Sequence, residues 1–133
     1  MFEWKNDYSV NIASIDAQHK KLFAIAEELH EAMRTGQSKS VLTKILDRLV
    51  QYTVTHFAQE EGLMKLHGYP DFAAHKAAHE ALKKQVVDFQ STFQAGEASI
   101  SIELMTFLKD WLEKHIQGTD KRYSPFLIER KVA

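Results

Sequence analysis

The chain has 133 residues, 44% of them hydrophobic, a formal net charge of -1 at pH 7 and no cysteine. Such a length and apolar content suit one domain, residues 1–133, built around one core. The even charge, with no basic stripe or acidic tail, argues against nucleic-acid binding; disulfides and thiolate metal sites are excluded, and no run of about 18 apolar residues is present to cross a membrane.

The opening residues, Met1 to Val10, lack the basic start and apolar run of a secretory signal, so a cytoplasmic location is expected. Gly36, the Gly68-Tyr69-Pro70 turn and Gly96 then divide the chain into four segments. In each, apolar residues recur at spacings of three and four, the mark of a helix with one buried stripe.

The first helix, from about Asp16 to Thr35, with Ser14 or Asp16 as cap, has the stripe His19, Leu22, Ala26, Leu29, Met33, flanked by Phe23 and Ile25. The second, from about Ser40 to His67, runs Leu42, Ile45, Leu49, Thr53, His56, Glu60, Leu63. Pro70 is a favoured first-turn residue and opens the third, whose stripe is Phe72, His75, His79, Leu82, Val86, Phe89, Phe93. The fourth, from about Ile100, carries Leu104, Leu108, Trp111 and His115. Short connections predict an all-α, up-down-up-down antiparallel four-helix bundle.

Polar residues interrupt these stripes at one level. A helix rises about 1.5 Å per residue, which places His56, Glu60, His75 and His79 roughly 8 to 18 Å from the end where the second helix meets the third. His19, in the first turns of its helix, and His115, near the end of its own, fall at that level too. Asp120 is out of line: five residues past His115, a regular α-helix would turn it about 140° away. A π-type turn or a local break is required, and Gly118 eases either.

Single His-x-x-x-Glu or His-x-x-x-His pairs arise often by chance, but the set is different. Five imidazoles and two carboxylates in one small core cost several kcal/mol per unpaired charge, and no lysine or arginine lies on these stripes. A metal cation is the fitting counter-charge. Seven ligands exceed what one zinc takes, and His-Glu-x-x-His is absent; mixed imidazole and carboxylate ligation suits iron or manganese, as a pair. If both carboxylates bridge, and an oxo or hydroxo group bridges too, about one of twelve octahedral positions stays open, on the ion with fewer histidines.

The order and spacing of these seven residues resemble the hemerythrin family, and the surrounding text resembles its bacterial branch. The stretches that carry the likeness are Trp4 with Tyr8-Ser9-Val10-Asn11-Ile12, Ile15-Asp16-Ala17-Gln18-His19, His56-Phe57-Ala58-Gln59-Glu60-Glu61, Gly68-Tyr69-Pro70-Asp71-Phe72, His75-Lys76-Ala77-Ala78-His79 and Trp111-Leu112-Glu113-Lys114-His115-Ile116. The resemblance implies a di-iron centre, oxo- or hydroxo-bridged. His75, His79 and His115 would hold one iron and His19 and His56 the other, with Glu60 and Asp120 bridging. Dioxygen would bind reversibly at the iron of His19 and His56.

Leu22, Phe57, Trp111, Leu112 and Ile116 lie within a turn or so of these residues and are expected to wall a dry oxygen pocket. Phe57 and Leu112 are equally accounted for as plain core. His30, about 16 Å along the helix from His19, is outside the centre and is read as a packed or capping histidine; His67 is read as an exposed or helix-end residue. Tyr123 is placed for a hydrogen bond near the bridge or for ordinary core packing. The expected role is oxygen storage, delivery or sensing rather than catalysis, with an oxygen-using protein as recipient. The alternative is a di-iron enzyme acting on oxygen, peroxide or nitric oxide.

Overall fold

Four helices lie lengthwise against one another in the computed structural model, which describes residues 2–96 and 102–132, with backbone alone for 102–104, 118 and 119. They are α1 (Ala13–Arg34), α2 (Lys39–Leu66), α3 (Phe72–Gln94) and α4 (Ile102–Glu113), the last continued by a π-helical turn (Lys114–Asp120) into α5 (Lys121–Glu129). Helix α1 packs on α2, α2 on α3, and α4 returns against α1, giving the antiparallel up-down-up-down bundle. No strand occurs among the described residues. The expected start at Ile100 and the side chain of Leu104 lie outside what is described.

Local chemistry sets the helix ends, in places differently from the sequence reading. Neither Ser14 nor Asp16 caps α1, which begins at Ala13 after an uncapped Ile12. Asp16 instead reaches back to the N-terminal arm, accepting from the Val10 N–H at 2.9 Å and the Ser9 hydroxyl at 2.5 Å. Ser38 caps α2, its Oγ accepting from Val41 N at 3.3 Å.

Pro70 precedes α3 rather than opening it. It is the second residue of a turn closed by Phe72 N donating to Tyr69 O at 3.1 Å, where its fixed φ suits the bend. Tyr69, buried against Phe126, anchors that turn. Gly36 and Gly68 end α1 and α2 at φ of 70° and 71°, a region costly for other residues. The reversals are locked by Gln37 N to Ala32 O and Tyr69 N to Met64 O, both 2.9 Å.

The core has two parts. Leu22, Phe23, Leu29, Leu46, Leu49, Val86, Met105 and Leu108 are among those filling the bundle's body. A smaller cluster of Val10, Ile12, Ile15, Met64, Tyr69, Tyr123 and Leu127 closes one end. Each fully buried aliphatic side chain contributes about 1.5–3 kcal/mol. Met33, Leu42, Leu63, Leu82 and Phe89 are only partly buried, while Ile25, Leu46 and Met64 beside the narrow stripes are fully so. The reason is that a globular helix buries a face wider than one line of residues.

The arm before α1 joins both parts, Phe2 and Tyr8 packing with the body and Val10 and Ile12 with the end. The Ser124 hydroxyl donates to the Val10 carbonyl, Tyr8 stacks on Phe23 at 5.0 Å, and the Tyr8 phenol donates to Glu113 Oε1 at 2.8 Å. Away from the histidine layer and this end, Thr53 is the one buried polar side chain among the described residues, and it bonds to its own helix at Leu49 O, 2.8 Å.

Candidate metal centre

Between the two clusters lie His19 from α1, His56 and Glu60 from α2, His75 and His79 from α3, and His115 and Asp120 from the π-helical turn. None is more than 4% exposed. The five-residue step from His115 to Asp120 is spanned by that turn, which contains Gly118. Its i to i+5 repeat brings both side chains to one face, leaving His115 Nε2 2.9 Å from Asp120 Oδ2.

Both carboxylates are shared. Asp120 Oδ2 lies 2.8 Å from His19 Nε2, while Oδ1 lies 3.2 Å from His75 Nε2. Glu60 Oε1 lies 2.6 Å from His56 Nε2, 3.3 Å from His115 Nε2 and 3.7 Å from His79 Nε2. Donor atoms able to surround a cation form two groups: His19, His56 and His115 with both carboxylates, and His75 and His79 with both carboxylates.

His115 is thus drawn to the His19 group by Asp120 Oδ2, whereas the family resemblance pairs it with His75 and His79. Its ring nonetheless lies closer to that of His79, 5.0 Å, than to those of His56, 5.7 Å, or His19, 5.8 Å.

The donor set fits a metal pair on its own chemistry. Five Nε2 atoms and both carboxylates point into one small volume, with His75 Nε2 3.0 Å from His79 Nε2. His19 Nε2, His56 Nε2 and both Asp120 oxygens make no hydrogen bond of good geometry despite full burial. Polar atoms left so in a core are expensive unless a cation draws them together.

Electrostatics agree. Burial, abetted by the neighbouring His115, pushes the His79 imidazole down to about 3. Burial opposes charge on His115 too, but Asp120 and Glu60 beside it prevail and raise it to about 10. Burial also acts against Glu60, yet His56 and His115 hold it down at about 2, and His115 holds Asp120 well below the usual carboxylate range. Ionised carboxylates at Glu60 and Asp120 and neutral imidazoles at His56 and His79 are the protonation states that ligation needs, and His115 must give up its proton to a bound cation.

Beyond the donors, the Tyr123 phenol donates to Glu60 Oε2, realising the hydrogen-bonding alternative for that residue. The sequence reading missed Gln18 and Glu61: His56 Nδ1 meets Gln18 Oε1 at 2.6 Å, and His79 Nδ1 meets Glu61 Oε2 at 3.2 Å. Both polar residues sit next to a donor in sequence, the one signal that could have marked them.

Leu22, Phe57, Trp111, Leu112 and Ile116 are each at most 3% exposed and belong to the apolar body. Phe57 lies flat on His79 with centroids 4.0 Å apart and an angle of 4°, and 4.7 Å from His115. Trp111 is fixed by its indole N–H donating to Leu82 O at 3.2 Å. A groove of about 420 Å³ between α3 and α4, lined in part by Ala81, Leu82, Phe107 and Trp111, reaches His115. His30 packs edge-on to Phe2 and meets Glu27 at 3.3 Å, and His67 ends α2, both apart from the centre.

Residues 10–127 match the Hemerythrin family, described as the hemerythrin HHE cation binding domain. The chain is 42% identical over 121 residues to the bacteriohemerythrin of Methylococcus capsulatus, covering 91% of this chain and 92% of that protein. It is 30% identical over 122 residues to the myohemerythrin of Theromyzon tessulatum, covering 92% and 90%. A crystal structure of wild-type hemerythrin superposes with a TM-score of 0.87 at 41% identity, over 92% of this chain and 95% of that one. With seven buried donors at one level of a four-helix bundle and likeness along nearly its whole length, the chain belongs to the hemerythrin family.

Proposed function

We propose that this chain, acting as a single domain, binds dioxygen reversibly at two iron ions bridged by an oxo or hydroxo group. His75, His79 and His115 would hold one iron and His19 and His56 the other, with Glu60 and Asp120 shared between the two. The observation that carries the reading is that each carboxylate lies among histidines of both donor groups while no lysine or arginine is buried among the described residues. The three-to-two division follows the family resemblance: the His115 ring lies nearest that of His79, while its donor atom groups with those of His19 and His56.

When bound, the iron pair supplies two electrons and one open coordination position. The protein's own part is to keep that position dry and the donors aimed. Leu22, Phe57, Trp111, Leu112 and Ile116 exclude water, which carries the protons that drive irreversible oxidation. The Tyr123 phenol fixes Glu60 by donating to the oxygen its histidines do not use. A groove of about 420 Å³ between α3 and α4 runs up to His115, whose own surface is fully covered.

Storage, delivery to an oxygen-using recipient protein and sensing all use this binding step. No helix among the described residues is long and apolar enough to cross a membrane. The test is to load ferrous iron without air, count two irons per chain, and cycle between air and inert gas. Visible absorption that appears and disappears over repeated cycles supports the proposal. Bleaching after one cycle, or steady consumption of peroxide, overturns a carrier role in favour of an enzyme.

A further inference from the structure

Two of the donor imidazoles carry a hydrogen-bond partner on the nitrogen that faces away from the centre, and those partners differ in charge. His56 Nδ1 meets the amide oxygen of Gln18 at 2.6 Å, and Gln18 in turn donates to Gln59. His79 Nδ1 meets the carboxylate of Glu61 at 3.2 Å. Lys76 and Lys83 are near enough to interact with that carboxylate electrostatically. By contrast, the outer nitrogens of His19 and His115 are buried without a hydrogen bond among the described residues. One neutral partner therefore serves the α2 side of the centre and one anionic partner the α3 side.

We propose that Glu61 is a positioning residue that makes the His79 side the electron-rich half of the centre, and that the neutral Gln18 withholds the same effect from the His56 side. The inference rests on the di-iron reading above. A metal-bound imidazole whose outer N–H donates to a carboxylate becomes more basic at its metal-facing nitrogen. It then favours the ferric ion over the ferrous one. An amide acceptor fixes the ring and tautomer equally well, but without a full charge its pull on the proton is weaker.

The arrangement sets resistance to autoxidation. In that reaction each ferrous ion loses one electron, and dioxygen takes both with two protons from solvent and leaves as hydrogen peroxide. A second carboxylate, on the His56 side, would make both ferrous ions easier to oxidise. The amide keeps one of them reluctant.

Glu61→Gln and Gln18→Glu alter charge with almost no change in shape, and they are predicted to act in opposite directions. Wild type and both variants are loaded with iron, the metal is counted, and the midpoint potential of the pair is measured by mediated redox titration beside the autoxidation rate. Glu61→Gln is expected to raise the potential and slow autoxidation about tenfold; Gln18→Glu is expected to lower it and speed autoxidation to a similar degree.

Potentials that stay put with two irons bound, or that move in the same direction, overturn the proposal. So does an unmoved potential in Gln18→Glu alone, should Glu61→Gln fail to retain iron. A wild-type chain that takes up no iron pair instead overturns the functional reading on which this one stands.

Discussion

The π-helical turn is the feature through which the centre can be tested by chain length alone. On a regular α-helix, each residue turns about 100°, so a five-residue step leaves Asp120 about 140° away from His115, a four-residue step about 40°, and a six-residue step about 120° on the far side. Deleting the exposed Gln117 removes the residue that the π turn absorbs, and an ordinary α-helix then carries Asp120 and all of α5 close to their present faces. Inserting an alanine between Gln117 and Gly118 asks the turn to absorb two residues. It swings Asp120, Tyr123 and Leu127, each 0% exposed, out of the core. Displacing the two large side chains costs about 2–5 kcal/mol each. Iron per chain and the thermal midpoint of the loaded protein read both outcomes. The deletion is expected to keep two irons, and the insertion to lose them and unfold at markedly lower temperature. A deletion that abolishes iron binding, or an insertion that retains both irons, would refute the role given to the turn.

Tyr123→Phe removes the donor to buried Glu60 and is expected to cost the metal-free protein about 1–3 kcal/mol, read by urea unfolding; a cost near zero contradicts that bond. The metal-free protein should also be most stable near pH 6.5. His79, at about 3 when folded against its ordinary 6.5, makes the unfolded chain bind the extra proton as pH falls through that window, so stability drops by up to about 1.4 kcal/mol per unit. His115, at about 10, has the opposite sign: its contribution is complete below 6.5 and is lost as pH rises towards 10. Urea midpoints that still climb at pH 9 would contradict it. Ile12→Ala, in the cluster that closes the end, and Leu29→Ala, in the body, remove side chains that are both 0% exposed, and each should cost about 2–5 kcal/mol. Ile12→Ala alone should hasten autoxidation; equal rates in the two variants would show that the end cluster does not shield the centre.

The centre was legible because its residues break a rule. His56 and Glu60 fall on an apolar stripe at one-turn spacing, and so do His75 and His79; converting spacing into height brings both pairs and His19 to the level where the structure puts them. Even the irregular step to Asp120 could be anticipated, since a helix cannot hide a 140° error. What periodicity does not encode is harder. The N-terminal arm has no repeat, yet Val10 and Ile12 are 1% and 0% exposed, and Val10 is held both by nearby Asp16 and by Ser124 from the far end of the chain. Pro70 illustrates a competition that sequence leaves open: first turn of a helix and second residue of a turn both accept proline's φ, and the burial of Tyr69 decided for the turn. Gln18 and Glu61 look like surface residues of α1 and α2, and only the direction of the His56 and His79 rings reveals their use.

The placement of the donors near one end of the bundle explains why that end is built as it is. In the middle of four long helices, neighbouring turns would shield the donors on both sides. At this level the shielding on the outer side must come from elsewhere, and the chain draws it from both of its extremities: Val10, Ile12 and Ile15 from the start, Tyr123 and Leu127 from α5, and Met64 and Tyr69 from the turn that joins α2 to α3. Residues of α5 can take part only because the π turn has already corrected the register by one residue, which points Tyr123 and Leu127 inward together with Asp120. The same irregularity therefore serves two ends. It delivers the second carboxylate to the histidines, and it turns the rest of the helix into the cover beneath them.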